Sequence, residues 1–184
     1  MKMRFFPIHI YFFQIILNIL PFFWIDVFYD NYTYLANSGH HFFFVLTWGL
    51  STIFGFYTYA KEIWKFYNIP IHKKRHAIAC LGMLVIVFIP YANNGNACLN
   101  NLHVWLFILS FSLYVLNWIQ TIPYGNHEYQ QGLKSLGILL SILLFTFFLI
   151  GHMSAFTEIL TSVGVNYVLY AWTKNRVLIP HSAH

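Results

Sequence analysis

The chain has 184 residues, 59% of them hydrophobic and only 8% charged. A soluble domain carries about 25% charged residues, so this composition excludes a globule covered by water and makes a bilayer the solvent for most of the surface. The net charge of +5 is divided among short ends and loops, which points away from a nucleic-acid partner.

The first apolar run, 5–25, follows Lys2 and Arg4. Pro7 falls near its start, where a missing N–H costs little, and Pro21 near its end, where it predicts a bend. No small-residue cleavage site follows, so the run is read as a span rather than a signal peptide. The loop 26–39 carries Asp26, Asp30 and the glycosylation tripeptide Asn31-Tyr32-Thr33. The second run, 40–60, contains Gly49, Ser51, Gly55 and Thr58, small residues that permit close helix approach. A basic loop follows, with Lys61, Lys65, Pro70 and the cluster His72-Lys73-Lys74-Arg75-His76. That cluster reads as a topology determinant that touches anionic headgroups, with a specific phosphoinositide site as the sharper alternative.

The third run, 77–91, ends at Pro90, and an uncharged Asn-rich loop follows. The fourth run is 102–122, closed by the turn Pro123-Tyr124-Gly125-Asn126. From Leu133 to Trp172 the chain is apolar for twice the length of one span. It must break at Gly151-His152-Met153-Ser154, giving the fifth and sixth runs, 133–150 and 154–173. The expected fold is therefore all-α, a polytopic six-transmembrane-helix bundle forming a single membrane domain. All ten Lys and Arg residues can then lie on one side, which the positive-inside rule makes cytoplasmic, with both termini there. Trp24 and Trp105 suit the outer boundary, and Trp64, Trp118 and Trp172 suit the inner one as lipid-facing belt residues. Cys80 and Cys98 lie a helix length apart, beyond the reach of a disulfide.

Ionisable groups within a bilayer are costly and mark functional sites by default. This topology places Asp26, His41, His103, His152 and Glu158 toward the outer side. Glu158 is the only acidic residue clearly inside a span. The leading expectation is a polar pocket at the outer leaflet built from these five residues, recognising a lipid headgroup. A second reading makes the protein a metal-dependent lipid hydrolase or transferase, with zinc held by His41, His103 and His152. No HExxH or similar spacing supports it. A third makes the chain a structural or haem-binding subunit of a larger membrane complex. Haem would take histidines from separate helices at similar depth. Membrane lipids are the expected partners, with partner subunits under the third reading. Gln14, Asn18, Asn117 and Asn166 are expected to hydrogen-bond between helices.

The segments Asn100-Asn101-Leu102-His103-Val104-Trp105-Leu106-Phe107 and Ser154-Ala155-Phe156-Thr157-Glu158-Ile159 resemble the fourth and last spans of the DRAM-like six-span family. That family includes autophagy modulators and GPI-anchor remodelling proteins. The resemblance runs from His76 to Trp172. It implies lipid handling or membrane homeostasis and carries over His103 and Glu158 alone.

Overall fold

The computed structural model describes residues 5–38, 41–89 and 96–175, and among them every regular element is helical. In chain order these are α1 (Phe5–Phe23), α2 (Tyr32–Ser38), α3 (Phe42–Phe66), α4 (Lys73–Val85), α5 (Ala97–Ile119), α6 (His127–Ile150) and α7 (Ala155–Asn175). Four are long and apolar enough to cross a membrane: α1, α3, α5 with the short turn that follows it, and α6.

Local chemistry sets the ends. Asn96 and Asn126 open α5 and α6, their side chains accepting from the N–H groups of Cys98 and Tyr129. The α5 cap draws the last residues of the expected Asn-rich loop into the helix. Gly151 closes α6 in the left-handed conformation at φ 80°, which a residue without Cβ adopts freely. α3 runs beyond the expected boundary to Phe66 and takes Lys61 and Lys65 into its last turns. The loop after α1 contains a short helix, α2, that the sequence pattern does not predict.

Two expected spans differ from the rest. α4 and its terminal turn end at Phe88, and Ile89, which precedes Pro90, is extended as that position requires. At 13 residues, α4 rises only about 20 Å, short of the roughly 30 Å hydrocarbon layer. α7 is long enough, with 21 residues, but it carries Thr157, Glu158, Thr161, Ser162, Asn166 and Thr173. Most of these face neighbouring helices. Thr157, Ser162, Asn166 and Thr173 are buried, together with Val165, Leu169 and Trp172. α7 packs against α1, α3 and α6, and α3 packs in addition against α2 and α4. An interior helix meets protein rather than lipid, so it can be more polar than its neighbours.

Close approach between α3 and α7 depends on Gly55, where an added Cβ would collide with Asn166 Oδ1. Gly132 of α6 lies against the Trp172 indole in the same way. Trp64, Trp118 and Trp172 form an aromatic cluster, with ring centroids 4.5 Å apart for Trp64 and Trp118 and 5.6 Å for Trp118 and Trp172. All three are buried. They are core residues, not the lipid-facing belt the sequence suggested. Trp105 is exposed, as expected.

Gly55→Ala is expected to lower stability by about 1–3 kcal/mol through overpacking. Gly137→Ala, whose Cβ would meet nothing within 4 Å, should leave it unchanged or raise it by up to about 1 kcal/mol, since alanine outranks glycine inside a helix. Thermal unfolding of both variants in one mild detergent checks the pair. Equal effects would mean that the α3–α7 contact is not tight.

Candidate functional site

The loop between α1 and α2 folds over the start of α7. The first N–H groups of a helix lack intrahelical acceptors. Here Ala155 N–H donates to the Asp30 carbonyl at 2.6 Å, and Phe156 N–H to the Val27 carbonyl at 2.7 Å. The arrangement is reciprocal: Glu158 Oε2, one turn into α7, accepts the Tyr32 N–H at 2.8 Å, at the first residue of α2. Asn31 Oδ1 accepts the Tyr34 N–H beside it at 2.7 Å. Glu158 Oε1 accepts no hydrogen bond among the described residues. Burial, and after it the Glu158 charge, push the Tyr32 phenol well above its ordinary pKa.

Glu158 opens onto a crevice of about 100 Å³. Its walls are apolar: Val45, Ile53 and Phe56 from α3, Met83 from α4, Ile86 and Val87 just beyond it, and Phe107 and Phe111 from α5. Polar groups gather on the α7 side, where Thr161 and Ser162 join Glu158, with Thr52 across from them on α3. The site is an apolar cleft with one carboxylate at its edge.

Of the five residues expected to form the outer pocket, only Glu158 lines this crevice. His41 begins α3 and stacks on Trp24, with ring centroids 4.3 Å apart. His103 Nδ1 donates to the Ile89 carbonyl at 2.9 Å and ties α5 to the end of the α4 segment. His152 is exposed in the turn before α7, its Nε2 3.0 Å from the Tyr29 carbonyl. Asp26 is exposed and accepts the Phe28 N–H through Oδ1. These side chains make separate contacts rather than one pocket. Among the described residues no three His, Cys, Asp or Glu side chains come together to hold a metal ion.

The structure also assembles a polar network for which the sequence reading gave no role to His9. α1 widens into a π-helical turn over His9–Gln14, which brings these two side chains, five positions apart, toward one face. His9 Nε2 donates to the Ser51 carbonyl at 2.9 Å, so in neutral imidazole Nδ1 accepts from Tyr59 Oη at 2.6 Å. Gln14 Nε2 donates to Ser51 Oγ, while its Oε1 accepts from Ser162 Oγ and Asn18 Nδ2. Thr52 and Ser162 share a hydrogen bond of 2.7 Å. Asn166 Nδ2 donates to the Thr52 carbonyl, and Asn18 Oδ1 accepts from the Trp48 indole. The interhelical bonding expected of Gln14, Asn18 and Asn166 is present. The signal for His9 was available: a histidine in an apolar run, five residues before a glutamine.

Comparisons with family models, with curated proteins and with solved structures find no match to this chain. The geometry is therefore the basis for a functional reading. It offers hydrogen-bond acceptance and one uncommitted carboxylate oxygen beside an apolar cleft.

Gln14→Leu keeps the bulk of the side chain and removes one hydrogen bond each from Ser51, Ser162 and Asn18, which retain His9, Thr52 and the residue-14 carbonyl as partners. It should destabilise by about 1–3 kcal/mol, at roughly 0.5–1.5 kcal/mol for each hydrogen bond lost. Chemical unfolding in detergent, compared with a Phe13→Leu control at an exposed site on α1, reads the difference. Equal stability of the two variants would remove the network as a source of helix association.

Proposed function

We propose that this is a multi-pass membrane protein of six spans, with both ends on the basic side, that holds the polar end of an amphiphilic lipid at Glu158. The crevice carries this reading, because its apolar walls end at a carboxylate with one oxygen unengaged. Its volume of about 100 Å³ equals roughly three water volumes. That accommodates a headgroup fragment or a chain end, not a whole lipid. A carboxylate in this setting favours hydroxyl, amine or ammonium groups and repels phosphate. The preferred class is thus a lipid whose head presents hydrogen-bond donors. The kinship with DRAM-like proteins is part of the same proposal, since Glu158 lies in one of the two segments that carry it.

Six spans are supported by how the helix ends gather. The start of α1 meets the second half of α3 through Phe6 and Tyr59. The ends of α5 and α7 meet the start of α6 through Trp118, Trp172 and Tyr129. The outer loop, His152 and the start of α7 cluster separately. A shielded α7 and a short α4 with its terminal turn would then complete the crossings.

Glu158→Gln tests the ligand reading. The amide oxygen can still accept the Tyr32 N–H, so the fold should persist, whereas the charge is gone. Mass spectrometry of co-purified lipids should show the bound donor-headed lipid depleted about tenfold, the effect of losing one charge-assisted hydrogen bond. An unchanged lipid profile in a folded variant overturns the proposal.

Cys98 tests the topology. It is exposed at the start of α5, whereas Cys80 is buried, so a thiol reagent reports on Cys98. An impermeant maleimide added to vesicles with the basic side inward should label Cys98 without permeabilisation. Labelling that requires permeabilisation would reverse the orientation or the span count.

A further inference from the structure

At the opposite end from Glu158 lies a larger cavity, about 410 Å³, within the size range of small-ligand sites. It sits between the loop Pro70–His72, the start of α4 and the end of α5. Its described lining contains His72, Arg75, His76, Asn117, Gln120 and Thr121 and no acidic side chain. Lys73 and Lys74 are exposed on the same first turn of α4.

The site is built rather than merely basic. Arg75 Nε donates to Asn117 Oδ1 at 2.6 Å, and its Nη2 donates to Gln120 Oε1. Two amide oxygens thus fix the plane of the guanidinium. With its oxygen held, Asn117 must direct its Nδ2 donor elsewhere, and that atom is buried with no hydrogen-bond partner. Asn117 is only 5% exposed, so an unmatched donor there carries a substantial desolvation cost. His72, at the N-cap of α4, gives no side-chain cap. The first N–H groups of that 13-residue helix and the positive end of its dipole therefore add to the same field. The guanidinium N–H groups that these amides leave free and the helix N-terminus together match an oxyanion with several acceptor atoms.

We propose that this cavity is a binding site for a phosphate group, carried either by a lipid head in the basic-side leaflet or by a soluble phosphate compound. It is independent of the Glu158 crevice, which lies at the other end and has the opposite charge preference. A cluster that only sets topology would attract anionic surfaces through Lys73 and Lys74 as strongly as through Arg75. A built site depends on Arg75 out of proportion to its charge.

The test uses the full chain in neutral detergent and follows the fluorescence of Trp64, which lines the cavity. The probes are short-chain phosphatidic acid and inorganic phosphate, with short-chain phosphatidylcholine as the neutral control. Saturable binding of phosphatidic acid is expected, weakened at least about tenfold by Arg75→Gln and less than about threefold by Lys73→Gln/Lys74→Gln together. Competition by inorganic phosphate would identify the phosphate group itself as the ligand; binding of phosphatidic acid without that competition would identify the lipid head. Should Arg75→Gln fail to fold, Arg75→Lys, which keeps the charge and loses the fork, and Gln120→Leu at an exposed position must each still weaken binding. Non-saturable binding, or equal losses in the lysine double variant and the arginine variants, would reduce the cavity to surface charge and overturn the proposal.

Discussion

Inside a bilayer a polar side chain has no water to turn to, so every such group must find a partner in the protein. That constraint organises this molecule around α7. Its Ser162, Asn166 and Glu158 are bonded to Gln14 on α1, Thr52 on α3 and the N–H of Tyr32. The staves arrange themselves accordingly. α6, the most apolar candidate span at mean hydropathy 2.3, is only 11% buried, whereas α1 at 1.6 is 39% buried. The most apolar helix faces outward, whereas α7 turns Thr157, Ser162, Asn166 and Thr173 inward. Gly55 follows from the same requirement: the Asn166 carbonyl oxygen has no conventional donor and lies against the one position of α3 that leaves it space. A Cα–H contact is the weak compensation such a position offers.

The π-helical turn of α1 follows from it as well. In a regular α-helix two residues five apart diverge by roughly 140° around the axis. His9 and Gln14 would then face different neighbours, and one would meet lipid. Widening the turn places both against Ser51, and Asn18, one turn further, continues the network toward Trp48. Pro21 then tightens the helix into a 3₁₀ turn over Leu20–Phe23, where the chain leaves the span for the loop that caps α7. The π-helical irregularity of α1 coincides with the place where it carries polar partners, and the 3₁₀ turn with Pro21.

Signals carried by a few adjacent residues were legible in the sequence. Gly151 marks the end of α6 by its own chemistry, whereas the helix begins at His127, six residues before the expected 133. Glu158 stood out because a lone carboxylate in an apolar run needs a partner. What stayed hidden depends on partners distant in the chain. Nothing local says that Trp64, Trp118 and Trp172 meet one another rather than lipid, since an indole suits an interface and a core equally well. Nothing local says that His41, His103 and His152, grouped on one side by topology, would each be taken up by a different loop or helix end. The crevice is equally non-local, with walls drawn from α3, α4, the segment beyond it, α5 and α7. His9 was passed over because its partners, Tyr59 and Ser51, lie more than forty positions away.

The role of Glu158 in the fold needs only one acceptor, for the Tyr32 N–H. A glutamine oxygen could supply it without the cost of taking a charge out of water, which is several kcal/mol for a carboxylate even after relaxation. No described basic side chain offsets that charge in the crevice. The structural task alone would thus favour the neutral side chain. A carboxylate here, with one oxygen bound to the backbone of α2 and the other directed to no described partner, is the feature that led us to propose a donor-bearing lipid head group. The donor on that group would complete the second oxygen, and the apolar walls of α3, α4 and α5 would cover whatever it is attached to.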